Sequence, residues 1–244
     1  MKKVYFLFML VVVFCLVVTN VLYAAKCELI KDDKVKVDDN GYIMSWLVLD
    51  PYINSGITTP AVGAKEFIED EADLKPKEGD KVKTEADGAE HVWIRLNLLD
   101  SKDMAQIPSA VGGNELDFTC WGGQGPTNCQ TYLVTYLKWK SNTKVKFTVG
   151  ADDGARVYFN GDKIIDSPTD KDWAAGNCGS KDVSASGGAW NILVVLCLET
   201  GGEWGLSVQL DNKPDEVNNQ GPSGLFAVDV DGKLSTTWSH LKSR

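Results

Sequence analysis

Apolar and polar positions alternate along short segments of this chain, and little of it has the period of a helix. The strictest alternation lies in residues 143–149, where Val145, Phe147 and Val149 fall on one side and the two lysines on the other. A period of two places successive side chains on opposite faces, which is typical of a half-buried strand. These residues therefore predict a strand that borders a core.

Other segments are rich in β-branched and aromatic residues and are separated by turn formers. Asn160-Gly161 is the strongest short hairpin signal, because both residues tolerate a positive φ. Residues 191–198 are apolar on both faces, as we expect of a central strand. Further strands are predicted at residues 42–49, 92–98, 132–139, 156–159, 163–165 and 204–210. Repeated short strands of this kind predict an all-β sandwich.

An acidic segment at residues 64–74 interrupts this pattern. It predicts one short helix that ends before Pro76, with its carboxylates on a solvent-exposed face. Residues 213–224 contain two prolines and many polar side chains, which is typical of a linker. The predicted organisation is a signal peptide at 1–24, a β-sandwich at 26–212, a linker at 213–224 and a C-terminal hairpin or tail at 225–244.

The first residues have the three parts of a secretory signal. Lys2 and Lys3 precede an apolar run over residues 4–18, and the small residue Ala24 marks a cleavage point. An uncleaved membrane anchor is the alternative, because the run is long enough to permit it. We therefore expect a secreted, extracellular or cell-surface protein, or a periplasmic one, with no stable membrane insertion after cleavage.

The charge balance bears on the kind of partner. The chain has 244 residues, with 25 Lys and Arg against 34 Asp and Glu, and a formal net charge of −9. Such an acidic surplus disfavours nucleic acid and anionic lipid surfaces. Charged residues at 24% and apolar residues at 43% are ordinary for a globular chain, so extended disorder is excluded.

Export makes the cysteines informative, because it implies an oxidising compartment. Cys120 and Cys129 flank a loop rich in turn formers, and a disulfide between them is possible. Cys197 lies inside an apolar run and is predicted to be a buried thiol. Five cysteines remain after the leader: Cys27, Cys120, Cys129, Cys178 and Cys197. Because this number is odd, at least one cysteine is unpaired or pairs with another chain.

Four pieces of the sequence together are similar to a known family. They are Ser-Trp-Leu-Val-Leu-Asp-Pro at 45–51, the acidic and proline-containing stretch 71–80, the Asp-Asp-Gly strand and Asn-Gly hairpin at 150–161, and 190–194 with 201–205. The set resembles the jelly-roll β-sandwich modules of the PA14 and galactose-binding-like kind, over residues 42–210. The resemblance implies a jelly-roll type antiparallel β-sandwich, and a binding role, since no catalytic domain accompanies the module.

The same resemblance implies a calcium-assisted site. In sugar-binding PA14-type adhesins two adjacent aspartates hold Ca²⁺, and Asp152 and Asp153 match that pair. The other ligands would come from Asp170, Asp172 and Asn177. From the residues alone, turn chemistry is the alternative explanation of Asp-Asp-Gly, because aspartate side chains accept bonds from nearby backbone N–H groups.

Tryptophans divide into two groups by their surroundings. Trp121 and Trp173 lie in loops rich in small and polar residues, so they are candidates for stacking on the C–H face of a sugar ring. The alternative is that each anchors its loop on the sandwich. The four that lie in predicted strands are expected in the core: Trp46, Trp93, Trp139 and Trp204.

These observations predict a non-catalytic, lectin-like carbohydrate-binding module, with Ca²⁺ as a possible cofactor. A structural or adhesion protein that contacts a surface-protein partner is the first alternative. A small polysaccharide hydrolase or lyase is the second. The sequence has no nucleophile elbow, phosphate-binding glycine loop or histidine-based zinc motif, and only two histidines, which disfavours an enzyme.

Overall fold

The structure is a computed structural model, and it describes residues 36–50, 53–54, 67–84, 86–97, 116–117, 128–168, 174, 176–201 and 204–221. In these residues it has thirteen strands: β1 Ser45–Asp50, β2 Ile53–Asn54, β3 Lys81–Lys83, β4 Glu90–Asn97, β5 Leu116–Asp117, β6 Cys129–Lys138, β7 Thr143–Asp152, β8 Gly154–Phe159, β9 Asp162–Ser167, β10 Gly179–Ala185, β11 Trp190–Glu199, β12 Gly205–Leu210 and β13 Glu216–Asn218. No helix in this part of the chain has the length and hydropathy needed to cross a membrane.

The strands form two antiparallel sheets. The larger sheet has the order β3-β4-β1-β6-β11-β8-β9, and the short β2 and β13 also pair with β6. The smaller sheet has the order β10-β7-β12-β5. The chain passes repeatedly between the sheets after β6, which brings residues distant in sequence into one core. The predicted all-β antiparallel sandwich is confirmed.

A hydrophobic core fills the space between the two sheets. The alternation predicted for residues 143–149 is confirmed, because Val145, Phe147 and Val149 are buried there while the intervening lysines are exposed. The rings of Phe147 and Phe159 lie 5.1 Å apart across the core. The four tryptophans expected inside are all buried: Trp46, Trp93, Trp139 and Trp204.

Cys197 belongs to this core and is fully buried, as predicted. Its sulfur accepts a hydrogen bond from the indole Nε1 of Trp204 at 3.2 Å and lies 3.6 Å from the carbonyl of Gly205. Burial raises the pKa of the Cys197 thiol well above its usual range. The thiol thus packs as a small apolar group with two polar neighbours.

The larger sheet is buried on both faces around β11. This strand lies between β6 and β8, and Leu193 and Val195 point into the core between the sheets. Val194 and Leu196 point the other way, into a second core on the outer face of the larger sheet. Both faces of β11 are therefore apolar, as the sequence predicted. The outer face of the larger sheet must also be covered by another part of the chain.

Residues 67–80 supply that cover. The side chain of Ile68 is buried in the second core, and Phe67 and Leu74 pack against it. The hydroxyl of Tyr136 donates a hydrogen bond to the carbonyl of Pro76 at 2.7 Å. The helix predicted here is wrong in extent: the described residues form a single 3-10 turn at Glu71–Asp73, because they follow the surface of the sheet.

A buried carboxylate fastens the cover to the sheet. Glu71 is 1% exposed, and its Oε2 accepts a hydrogen bond from the hydroxyl of Tyr132 at 2.8 Å. Its Oε1 accepts from Arg156 Nη1 at 2.9 Å and from the hydroxyl of Tyr158. Burial, together with the Glu71 carboxylate, raises the pKa of both tyrosines, so both hydroxyls remain donors.

This arrangement corrects the prediction that the carboxylates of residues 64–74 are all solvated. Glu69, Asp70 and Asp73 are exposed, but Glu71 is not. Glu71 lies inside because three hydrogen-bond donors compensate its charge, and one of them is a guanidinium that also contacts Asp166 at 3.1 Å.

The predicted linker at 213–224 also differs from the structure in its described part. β13 lies within it and pairs with the end of β6, where β1 no longer reaches. Val217 is its one buried apolar side chain and enters the core between the sheets. Residues 213–221 are therefore attached to the sandwich. The predicted signal peptide at 1–24 and the predicted tail at 225–244 lie outside the described residues.

We predict that Glu71→Ala lowers the free energy of unfolding by about 3–5 kcal/mol, because it leaves the buried Arg156 guanidinium without its main partner. The matched control is Glu90→Ala, which removes an exposed ion pair with Lys81 at 2.6 Å and should cost less than about 1 kcal/mol. Urea denaturation followed by circular dichroism measures both. Equal losses in the two variants would contradict the role given to Glu71.

Candidate functional site

Adjacent aspartates occupy the crossing between the two sheets. β7 of the smaller sheet ends at Asp152, and β8 of the larger sheet begins at Gly154, so Asp153 alone makes the crossing. The peptide bond between Asp152 and Asp153 is cis. Asp152, Asp153, Asn177, Glu199 and Thr200 lie at this end of the sandwich. We call it the aspartate end.

The carboxylate of Asp153 is held in one orientation. Asp153 is 3% exposed, and its Oδ2 accepts hydrogen bonds from the backbone N–H and the hydroxyl of Thr200, at 2.6 and 2.5 Å. Its own N–H donates to the carbonyl of Leu198 at 2.9 Å. Two donors on one oxygen fix the side chain, and Thr200 can provide them because it directly follows β11.

Asp152 is the more accessible of the two aspartates. It is half-buried and pairs with Gly205 of β12 in the smaller sheet. Because Asp152 and Asp153 are consecutive, their carboxylates add charge to one small region. That region also contains Glu199, which is fully buried at the end of β11.

Cys129 lies near the carboxylates of Glu199 and Asp153. Cys129 begins β6 directly opposite Glu199. Burial raises the pKa of the Cys129 thiol, and the charges of Glu199 and Asp153 raise it further. The carboxylates of Asp153 and Glu199 thus both act on the thiol of Cys129 at the aspartate end. Glu199 and Thr200 were not singled out from the sequence; the only signal was a polar pair ending a long apolar strand.

Asn177 clamps the chain beside these aspartates. Its Oδ1 accepts from the N–H of Ala151 at 2.9 Å, and its Nδ2 donates to the carbonyl of Ala151 at 2.8 Å. Gly179 pairs with Val149. If β10 extended two residues further toward its N-terminus in the same register, Asn177 would lie opposite Ala151. Its side chain therefore continues the hydrogen-bonding pattern that β10 begins.

Gly150 lets the same segment approach β7 closely. A Cβ at Gly150 would lie 2.5 Å from the carbonyl oxygen of Ala174 and 2.9 Å from the nitrogen of Gly176. Only a glycine leaves room for this backbone. Together with Asn177, it fixes the described part of the segment against the residues that precede Asp152.

Predicted site residues are only partly described. Asp152, Asp153 and Asn177 come together at the aspartate end, while four others lie outside the described residues: Trp121, Trp173, Asp170 and Asp172. Two described residues that precede the segments containing these four residues are close to this end. Asp117 pairs with Gly205, and Ser167 pairs with Ala155 just after the crossing. Cys120, the expected disulfide partner of Cys129, also lies outside, so that bridge stays a prediction.

Calcium prefers six to eight oxygen ligands, including carboxylates. Asp152 and Asp153 provide the right donor type, but one oxygen of Asp153 already binds Thr200 and the Asn177 amide binds Ala151. Within the described residues, no group of three acidic, histidine or cysteine side chains is arranged to hold a metal ion. The described side chains are therefore an incomplete set for Ca²⁺.

Comparison with known proteins gives no family for the chain: no family model and no curated protein matches its sequence. Among solved structures, an anti-sigma factor domain-containing protein is 13% identical with a TM-score of 0.35, and the match covers 44% of this chain. The chain spans only 37% of that protein's length.

Two other solved structures match over more of the chain. The PA14 domain of the MpAFP antifreeze protein is 15% identical with a TM-score of 0.34, covering 75% of this chain and 87% of that one. The A domain of epithelial adhesin 6 from Candida glabrata, in complex with Galb1-3GlcNAc, is 13% identical with a TM-score of 0.31, covering 75% and 84%. The PA14 domain is of the kind of module that the sequence resembles. Structural similarity with TM-scores this low carries no argument about ligands.

We predict that Asn177→Ala lowers the free energy of unfolding by about 1–3 kcal/mol, because it leaves the buried N–H and C=O of Ala151 without this partner. The matched control is Asn212→Ala, which removes one exposed hydrogen bond to Thr143 at 2.9 Å and should change stability by less than about 0.5 kcal/mol. Thermal unfolding without added metal measures both. A loss for Asn177→Ala no larger than the control would count against a clamp.

Proposed function

We propose that this chain is an exported, non-catalytic carbohydrate-binding module whose sugar site is the aspartate end, assisted by Ca²⁺. The observation that carries the proposal is the fixed carboxylate of Asp153 beside the more accessible Asp152. Asp117 and Ser167, which precede the segments that contain Trp121 and Trp173, are close to the same end of the sandwich. The predicted leader at 1–24 supports export, to the outside of the cell, the cell surface or the periplasm.

Carboxylates suit the recognition of a neutral sugar, because they accept hydrogen bonds from its hydroxyls in short, charge-assisted contacts. Asp152 is exposed enough to make such contacts. Thr200 orients Asp153 and prevents its carboxylate from rotating away. Trp121 and Trp173 would offer flat apolar surfaces to the C–H face of a sugar ring.

Calcium, when bound, would supply a centre that takes sugar hydroxyls into its coordination shell. Asp152 and Asp153 are the described residues that would hold it, and Asp170 and Asp172 are the proposed additional ligands. Asn177 and Gly150 contribute by fixing residues 174 and 176–178 next to β7. The acidic surplus of the chain is consistent with a neutral ligand and not with a polyanion at this end.

We predict that a glycan array detects binding by the mature chain, and that a calcium chelator weakens it. Asp152→Asn and Asp153→Asn should each weaken binding at least about tenfold, since each removes one charge from the site. The matched control is Asp182→Asn, an exposed aspartate on β10 of the smaller sheet, which should leave binding unchanged.

Calorimetric titration with Ca²⁺ would follow the same variants, with circular dichroism to confirm folding. The proposal fails if no glycan binds, or if both substitutions at the aspartate end leave glycan binding as strong as the control does. Turnover of a glycan that depends on one of these carboxylates would instead favour the hydrolase or lyase alternative.

A further inference from the structure

A second candidate site lies at the opposite end of the larger sheet. A groove of about 480 Å³ opens there, where β11 begins, and β13 and the residues before it form one wall. We call it the Trp190 groove and define it by the residues that the argument uses: Lys36, Trp190, Lys213, Asp215, Glu216 and Asn218.

An indole ring provides the apolar surface of this groove. Trp190 is half-buried and packs at the margin of the outer core, next to Ile192. The ammonium of Lys138 lies 5.4 Å from the centre of the indole ring. This ammonium lies over the ring. Trp190 also lines the groove and is only half-buried, so part of its ring faces the groove.

The two carboxylates of the groove are already paired with lysines. Glu216 accepts from Lys138 at 2.9 Å, and Asp215 lies 3.0 Å from the ammonium of Lys140. Asp215 also accepts from the backbone N–H of Lys140 at 2.8 Å. Their negative charges are thus largely compensated within the protein.

The other two lysines of the groove differ in their partners. Lys36 Nζ donates to the carbonyl of Val217 at 2.9 Å and makes no ion pair with a described carboxylate. Lys213 Nζ lies 3.8 Å from the exposed Asp39. Lys36 is therefore the ammonium of the Trp190 groove that has no described carboxylate partner, in a chain whose net charge is −9.

We propose that the Trp190 groove binds an acidic sugar, a hexuronate whose ring stacks on Trp190 and whose carboxylate pairs with Lys36. A flat apolar ring beside a half-buried ammonium matches a pyranose that carries one carboxylate. β11 has ten residues, so the groove lies about 30 Å from the aspartate end and one sugar unit cannot occupy both. The proposal stands apart from the proposed function.

The test is calorimetry of the mature chain with trigalacturonate in excess chelator, which removes any contribution of Ca²⁺ at the aspartate end. The neutral comparison is the carboxyl-reduced trimer. We expect the wild type to bind trigalacturonate at least about tenfold more tightly than the reduced trimer, because a charge-assisted contact is lost on reduction.

Lys36→Gln should abolish that preference, and Trp190→Ala should weaken binding of both trimers. Lys181→Gln, which removes an exposed lysine on β10, is the matched control and should behave as the wild type. Trp190→Phe keeps an aromatic ring if Trp190→Ala proves unfolded by circular dichroism, and it should weaken both trimers to a smaller degree.

Absence of trigalacturonate binding by the wild type overturns the inference, as does a Lys36→Gln variant that keeps the full preference. Asp152→Asn separates the two proposals, because it should leave this binding unchanged. If Asp152→Asn abolishes it while Lys36→Gln does not, the acidic sugar binds at the aspartate end and the Trp190 groove is not a site.

Discussion

The larger sheet is apolar on both faces, and this constraint shapes the molecule. β6 and β11 send alternate side chains into two separate cores, so a second sheet can cover only one of them. Residues 67–80 cover the other, and this segment, which contains no strand, is held in place through polar contacts with the sheet. The contact of Glu71 with Arg156 and two tyrosines supplies direction, since apolar burial alone is non-directional. An ion pair inside a core thus specifies where the cover lies.

The two ends of the sandwich differ in their chemistry because they close in different ways. At the aspartate end the chain changes sheets within one residue, Asp153, and carboxylates gather around the ends of β7 and β11. At the other end β13 replaces β1 as the partner of β6, which brings lysines and an indole together. Long central strands keep these regions apart. One scaffold therefore offers two chemically different surfaces that lie far apart.

The sequence predicts the parts of this fold that local pattern determines. The alternation in β7, the Asn160-Gly161 turn and the apolar β11 depend on neighbours in the chain, and all three are found. β10 was not predicted, because a polar edge strand such as Gly179–Ala185 is recognised only by its pairing with β7. The burial of Glu71 depends on Arg156, 85 residues away, and the clamp of Asn177 on Ala151 depends on register. Such contacts have no signature in a single segment.

Cys197 has a consequence for the chemical behaviour of the protein. Thiolate is the form that reacts with alkylating reagents and with disulfides, and a raised pKa keeps Cys197 protonated at neutral pH. Its sulfur is also out of reach of any reagent in the folded molecule, between the sheets and against Trp204. The residue can therefore remain reduced in surroundings that oxidise exposed thiols. Its labelling by iodoacetamide would report the opening of the sandwich itself, which makes it a built-in chemical probe of global unfolding.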